Sequence, residues 1–314
     1  MLLVPHDQDV PKGFDDAQLV RTPLEICFYM YTTQVGFLDA LEDATLLNSV
    51  AAVTIDESEW TIPVIAEGLK SNRILYLPQN EGTSINVEPV IKLKPDMIFS
   101  GTVNMGKGDI IGQFNAARLP YTVTAEWMED SNYGCIEWLK FIAAFYNKDE
   151  EADIIFEQKV KHIEDLLAMT NDISQDEYPT VAYASFYNGV VWTQGSNAPT
   201  ALEYKKAAGK YYISDLHSKG QVRIGMEEFV NKAIEADILM YSSMITYVPN
   251  KKALLNENPF FAELKAYKND RIYVLSRGYY MNSAKIDEKF ADIIAIFHPK
   301  LFPDRELIFY EQLK

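Results

Sequence analysis

Short apolar runs alternate with stretches of helical periodicity along most of this chain, and that alternation leaves few architectures open. "LEICFYM" (24–30), "SVAAVT" (49–54), "RILYL" (73–77), "MIFSG" (97–101) and "PYTVTAEW" (120–127) read as buried strands. Helical stretches such as "VGFLDALEDA" and "GDIIGQFNAA" lie between them. Strands that alternate with helices predict a parallel sheet covered by helices on both faces. The pattern stops at "GCIEWLKFIAAFYN" (134–147) and "DEEADIIFEQKVKHIEDLLAM" (149–169), which are helical and nearly free of Gly and Pro. Asp149 is a suitable N-cap for the second, and about 21 residues of helix span roughly 30 Å. The alternation then resumes with "TVAYASF" (180–186), "GVVWTQG" (189–195), "APTALEYKKAAG" with Gly209 as its C-cap, "DILMYSS", "NPFFAELKAYKND" as a helix, "RIYVLS" (271–276) and "DEKFADIIAIF" (287–297). The fold class is therefore α/β, with two lobes built on parallel sheets and joined by a long helix. The expected division is an arm at 1–23, a lobe at 24–133, a helical region at 134–173 and a second lobe at 174–314.

One unit occurs twice. In "SINVEPVIKLKPDMIFSG" Glu88 stands on a short helix eight residues before Asp96, and Asp96 opens an apolar strand. In "RIGMEEFVNKAIEADILMYSS" Glu228 stands nine residues before Asp237, which does the same. Each lobe holds one copy.

Composition removes several classes. A formal net charge of −16 argues against nucleic acid or an anionic membrane as the main partner. No apolar run is long enough to span a bilayer. Cys27 and Cys135 lack metal-ligand spacing, and His6, His162, His217 and His298 are scattered. His298 in "FHPKLFPD" reads as a helix-terminal structural residue. "GTVNMGKGD" (101–109) is rich in Gly but lacks the order of a phosphate-binding loop, because Asp109 follows Gly108.

Ligands of open parallel sheets bind beyond the carboxyl ends of the strands. The residues there are Tyr31, Thr32 and Thr33; Ser100, Gly101 and Thr102; Glu126 and Trp127; Gly195 and Ser196; Tyr241 and Ser242; and Arg277, Tyr279 and Tyr280. They are aromatic and hydroxylic, with few groups suited to acid–base catalysis. Trp60, Trp127, Trp192, Tyr31, Tyr279 and Tyr280 are the right type to stack on a flat ligand, and Arg277 to pair with an anionic one. The plain alternative is that each is a core or rim aromatic.

Five segments, in order, carry a resemblance. They are "TTQVGFLDALEDATLLNSVAAVT", "NVEPVIKLKPDMIFSG", "EWLKFIAAFYNKDEEADIIF", "NPFFAELKAYKNDRIYVLS" and "IAIFHPKLFPD". Together they resemble the class III periplasmic substrate-binding proteins of ABC importers, which capture iron–siderophore complexes, haem or cobalamin. The ending "IFHPKLFPDRELIFYEQL" is similar to a Bacteroidetes-like branch. The chain departs from the family's "TTH" at Gln34, and "RGYYMNSAKID" departs as well.

The resemblance implies two Rossmann-like lobes joined by a rigid interlobe helix, with the ligand cleft between them. It implies a binding protein without a catalytic cofactor or resident metal, acting as a monomer. Its ligand is a ferric siderophore, haem or a corrinoid, and its partner an ABC permease with its ATPase subunits. It also implies a periplasmic location or a lipid anchor facing the periplasm, although the family's leader and anchor cysteine are not in this sequence. Glu88 and Glu228 match the positions that dock onto permease arginines; the alternative is solvated acidic residues favoured by a helix dipole. Two competing readings stay open on the same fold: a metal-chelatase-like enzyme and a surface lipoprotein that feeds no permease.

Overall fold

In the computed structural model, which describes residues 1–80, 84–101 and 109–314, two compact units form. Unit 1 comprises Met1–Gln158 and Tyr280–Lys285; unit 2 comprises Lys159–Tyr279 and Ile286–Lys314.

Unit 1 begins with strands β1 (Leu2–Pro5) and β2 (Leu19–Thr22), paired in parallel where a loose arm was expected. The reason is apolar: Val20 enters the core of unit 1 and Leu3 packs against it. Then come β3 (Cys27–Tyr29), α1 (Thr32–Asp39), β4 (Val50–Val53), α2 (Pro63–Lys70) and β5 (Leu75–Tyr76). A small antiparallel pair, β6 (Gln79–Asn80) and β7 (Ser84–Ile85), precedes α3 (Val87–Leu93). The unit continues with β8 (Met97–Gly101), α4 (Ile110–Ala116), β9 (Tyr121–Thr124) and α5 (Asn132–Ala144). The sheet order is β5-β4-β3-β8-β9, parallel throughout.

Because side chains alternate across a strand, this sheet feeds two cores. Cys27, Tyr29, Met97 and Phe99 join residues of α1, α2 and α5 on one face. Phe28, Met30 and Ile98 join Val90 of α3 and Phe114 of α4 on the other. Truncating a large side chain here, such as Phe99 to Ala, costs about 3–5 kcal/mol. The stretch 134–173 does not stand as a region of its own. Leu139, Ile142 and Ala143 of α5 lie in the core of unit 1, and the boundary between units falls inside α6 (Asp149–Ala168).

Unit 2 contains β10 (Thr180–Tyr187), β11 (Val190–Gln194), α7 (Pro199–Lys206), β12 (Lys210–Tyr211), β13 (Gln221–Ile224) and α8 (Met226–Ala233). These are followed by β14 (Ile238–Met244), α9 (Lys251–Glu257), α10 (Lys265–Lys268), β15 (Ile272–Leu275), α11 (Ile286–Phe297) and β16 (Tyr310–Gln312). The order is β13-β11-β10-β14-β15-β16, with β12 also on β10. β10, β12, β14 and β15 pair in parallel, whereas β11 pairs antiparallel with both β10 and β13, and β16 antiparallel with β15, so this sheet is mixed. The hairpin from β10 to β11 turns at Asn188 and Gly189, with φ of 51° and 79°. Such a two-residue turn matches the twist of paired strands.

Two further local expectations change. After α7 the left-handed residue is Ala208, φ 59°, and the Gly209 amide bonds to the Tyr204 carbonyl at 2.9 Å, closing a Schellman-type cap. "NPFFAELKAYKND" is a 3-10 turn at Pro259–Glu263 and the short α10, because Leu264 between them is extended.

Candidate functional site

The carboxyl edge of the unit 1 sheet is organised by Gln34, which is fully buried. Its Oε1 accepts from the Met30 and Tyr31 amides, each at 3.1 Å. Its Nε2 donates to the Ser100 carbonyl and the Thr124 hydroxyl, each at 3.0 Å. The side chain thus ties β3, α1, β8 and β9 together where Tyr31, Thr32, Thr33, Ser100 and Gly101 stand. The departure from "TTH" at this position is therefore an inward-facing clamp.

Tyr31, Thr32 and Thr33 are half-buried, and Ser100 is buried. The Tyr31 ring lies over Gly101 so closely that a Cβ there would meet it at 2.6 Å. Burial raises the Tyr31 pKa, a hydrogen bond with Gln79 opposes the rise, and the Glu126 carboxylate adds to it. The phenol therefore stays protonated near neutrality, which suits hydrogen bonding better than direct ligation of iron. The Thr33 hydroxyl oxygen is buried and has no hydrogen-bond partner. Glu126 is buried, while Trp127 and Met128, on the 3-10 turn that follows β9, are 61% and 60% exposed. Such large exposed apolar side chains are the informative kind. Tyr280, in the returning segment of unit 1, is 49% exposed. Thr102 and most of the Gly-rich stretch that starts at Gly101 lie outside the described residues.

Trp60 does not belong to this edge. It is 7% exposed within the unit 1 core, and its indole donates to the Ile55 carbonyl at 3.2 Å. The apolar neighbours of α2 supply the reason: a Trp just before an amphipathic helix closes the core.

In unit 2 the corresponding edge is rich in phenols. Tyr241 is buried, packs edge-on against Phe261 at 5.3 Å and donates a hydrogen bond to Glu257. Its pKa is raised by burial first and then by that carboxylate. Tyr279 is half-buried against Phe309 and Tyr310. Arg277 is exposed. Trp192 sits within β11, opposite Ser185 and Arg223 and away from the strand's end. Ser196 is buried and meets Nδ1 of the exposed His217 at 3.2 Å, while Asp215 is taken by Lys232.

The structure also explains the duplicated acidic unit. Asp96 accepts from the Glu25 and Ile26 amides at 2.9 and 2.8 Å, closing the entry to β3. Asp237 accepts from the Thr180 amide and hydroxyl at 2.8 and 2.6 Å, closing the entry to β10. Each Asp thus ties its own strand to the neighbouring parallel one. The glutamates point elsewhere. Glu88, in the first turn of α3, is 72% exposed and bonds Lys92 at 2.7 Å; Glu228, in the first turn of α8, is 51% exposed and 3.9 Å from Lys232.

One grouping escaped the sequence reading. His162, Asp287 and Glu288 bring three potential metal ligands within 4.8 Å. Lys159 bonds Asp287 at 3.2 Å and Arg305 bonds Glu288 at 2.8 Å, so both carboxylates are already neutralised. His162 lies 125 residues from Asp287 in sequence, and no local spacing announces the grouping. Among the described residues, no helix is long and apolar enough to cross a membrane.

Comparison with known proteins agrees with the architecture. Two uncharacterized lipoproteins of Methanocaldococcus jannaschii resemble the chain. One is 28% identical over 98% of this chain and 75% of its own, the other 30% identical over 96% and 77%. The solved structure of a periplasmic heme binding protein from Pseudomonas aeruginosa superposes with a TM-score of 0.65 at 14% identity, covering 93% of this chain and 99% of that one. Residues 32–278 match the family described as Periplasmic binding protein. With two α/β units linked through α6 and a family match that spans most of both, the chain belongs to the periplasmic binding protein family.

Proposed function

We propose that this protein is the substrate-binding component of an ABC importer, that it captures a metal chelate and that it catalyses no reaction. The chelate is a ferric siderophore, haem or a corrinoid. The observation that carries this reading is the apolar pair Trp127–Met128, held in the open beyond β9. A planar or aromatic-rimmed ligand offers such side chains a stacking partner. Family membership and the heme binding neighbour support the same class. The lipoprotein relatives support a lipid-anchored placement outside the cytoplasmic membrane.

Titration with haem, cyanocobalamin and a panel of ferric siderophores, read by tryptophan quenching, tests the proposal. One ligand is expected to saturate at one per chain, and Trp127→Ala to weaken it about tenfold, the loss of one stacking contact of roughly 1.4 kcal/mol. Absence of saturation across the panel defeats the metal-chelate class. Permease docking is assigned to Glu88 and Glu228. Charge reversal at both is expected to abolish stimulation of the transporter ATPase while ligand affinity stays unchanged; persistent stimulation removes the assignment.

A further inference from the structure

The carboxyl edge of the unit 2 sheet carries aromatic groups that residue type did not single out. β14 continues past Tyr241 to Met244, so Tyr241 is buried inside the strand and the edge lies further on. β10 runs to Tyr187, at the tip of its hairpin with β11. The two strands are parallel neighbours, with Ala184 opposite Tyr241, and such strands lie roughly 4.8 Å apart. Beyond β14 the chain turns back. The Tyr247 and Val248 amides donate to the Met244 carbonyl at 2.9 and 3.0 Å, and Val248 is buried, which holds Tyr247 at the strand's end. On the other side of β14, Leu275 of β15 lies opposite Met244. A turn closed by the Tyr279 amide on the Ser276 carbonyl at 3.1 Å follows, and Arg277 stands in it. Three adjacent parallel strands thus lead into Tyr187, Tyr247 and Arg277.

These side chains are unengaged. Tyr247 is 75% and Tyr187 67% exposed, the two most exposed large apolar side chains among the described residues. A single one is ordinary, but two on neighbouring strand ends form a patch that carries information. Among the described residues, neither ring makes a ring contact or side-chain hydrogen bond, and the exposed Arg277 guanidinium has no ion pair or hydrogen bond. Acidic side chains outnumber basic ones 45 to 29, and Arg271 and Arg305 are both taken. An arginine with no carboxylate beside it in such a chain is available to an anion from outside.

The phenol rings offer faces to a planar conjugated group, and a guanidinium pairs with carboxylate or phenolate oxygens. An uncharged aliphatic chelate engages neither feature, and a cationic one is repelled by the second. We propose that Tyr187, Tyr247 and Arg277 form a contact surface for an aromatic anion, a planar conjugated ring system bearing carboxylate or phenolate oxygens. Among metal chelates, this selects a porphyrin with acidic side chains or a catecholate complex over a corrinoid or an uncharged hydroxamate complex. That selection rests on the function proposed above. The preference of this edge for aromatic anions does not.

Gallium(III) complexes, which are diamagnetic, are the probes. Gallium tris-catecholate and gallium protoporphyrin combine rings with negative charge. Gallium tris-oxalate is anionic without an aromatic ring, and the gallium complex of an aliphatic trihydroxamate has neither feature. Tyrosine ring-carbon resonances of the intact chain are followed by NMR, with Tyr187 and Tyr247 identified by their loss in Tyr187→Phe and Tyr247→Phe. At least one aromatic anion is expected to shift both residues saturably and to bind about tenfold or more tightly than the oxalate and hydroxamate complexes. Tyr187→Ala and Tyr247→Ala are each expected to weaken it about three- to tenfold, whereas the phenylalanine variants keep the stacking face. Arg277→Gln is expected to weaken it about tenfold. All three side chains are exposed, so these variants are expected to keep the fold, checked by circular dichroism. The proposal is overturned by absence of binding for both aromatic anions, by binding that leaves Tyr187 and Tyr247 unshifted, or by affinity unaltered in the alanine and glutamine variants. A hydroxamate complex or cyanocobalamin that saturates in place of the aromatic anions removes this surface and leaves chelate capture standing. Aromatic anions that bind here without stimulating the transporter ATPase keep the surface and lose the import reading.

Discussion

Gln34 shows how much one side chain can decide at the unit 1 edge. Its four hydrogen bonds join three strands and a helix without any exposure. Gln34→Ala leaves several buried partners unsatisfied, and each such group costs about 1–3 kcal/mol. The variant is expected to lose about 3 kcal/mol or more in urea unfolding; a loss below about 1 kcal/mol would show that water replaces the clamp. Cys27 makes a second case. It is fully buried, within 3.4 Å of the Tyr146 hydroxyl, which also bonds Tyr29 and Ser49 at 2.7 Å. Burial, opposed by the Tyr146 hydrogen bond, pushes its thiol up to about 12. Native protein at pH 8 is therefore expected to leave Cys27 unlabelled by a thiol reagent until denaturant is added, and early mass-spectrometric labelling at Cys27 contradicts this. None of this network was legible in the sequence, because its members lie up to 119 residues apart. Residue type alone placed Trp60 and Trp127 in one class, and only the packing separates a core indole from an exposed one.

The elements were the most legible scale, because apolar periodicity is a local signal. β8, β10, β14 and α11 all lie where their patterns place them. What the periodicity lacked was direction: β11 has the apolar content of a parallel strand but runs antiparallel. Its signal was the "NG" of Asn188-Gly189. Asp237 carries a pH consequence. Burial acts to raise the pKa of Asp237, yet Lys265 at 2.7 Å and Thr180 outweigh it, and the pKa is lowered from 3.8. As pH falls, the unfolded chain takes up this proton first, so stability present above about pH 3.8 is lost as pH drops through the lower folded value. Asp237→Asn is expected to be less stable at neutrality and to flatten this part of the acid limb in pH-dependent denaturation. An unchanged acid limb means the carboxylate does not couple β10 to β14.

At the scale of the molecule, chain order and structural unit do not coincide. Unit 1 takes Tyr280–Lys285 from the far end of the chain. Met281 and Ala284 enter its core, the Met281 sulfur accepts from the Thr61 amide and hydroxyl at 3.4 Å, and a Cβ at Gly36 would overlap the Met281 carbonyl. A fragment of residues 1–158 is expected to be markedly less stable than the same fragment supplied with a tethered copy of 280–285. Equal melting of the two, measured by circular dichroism, would deny the segment any part in folding. The sequence showed two lobes but not this exchange, since "YYMNSAK" has no periodicity of its own. The arrangement also limits how such a gene can be reshuffled. A single crossover between two relatives within α6 gives each product a first unit whose core is completed by the other parent's methionine and alanine. Only a double exchange that carries these six codons back preserves the original fit, so recombination should trade the two lobes as wholes rarely, and mainly between parents that agree at Gly36, Thr61, Met281 and Ala284.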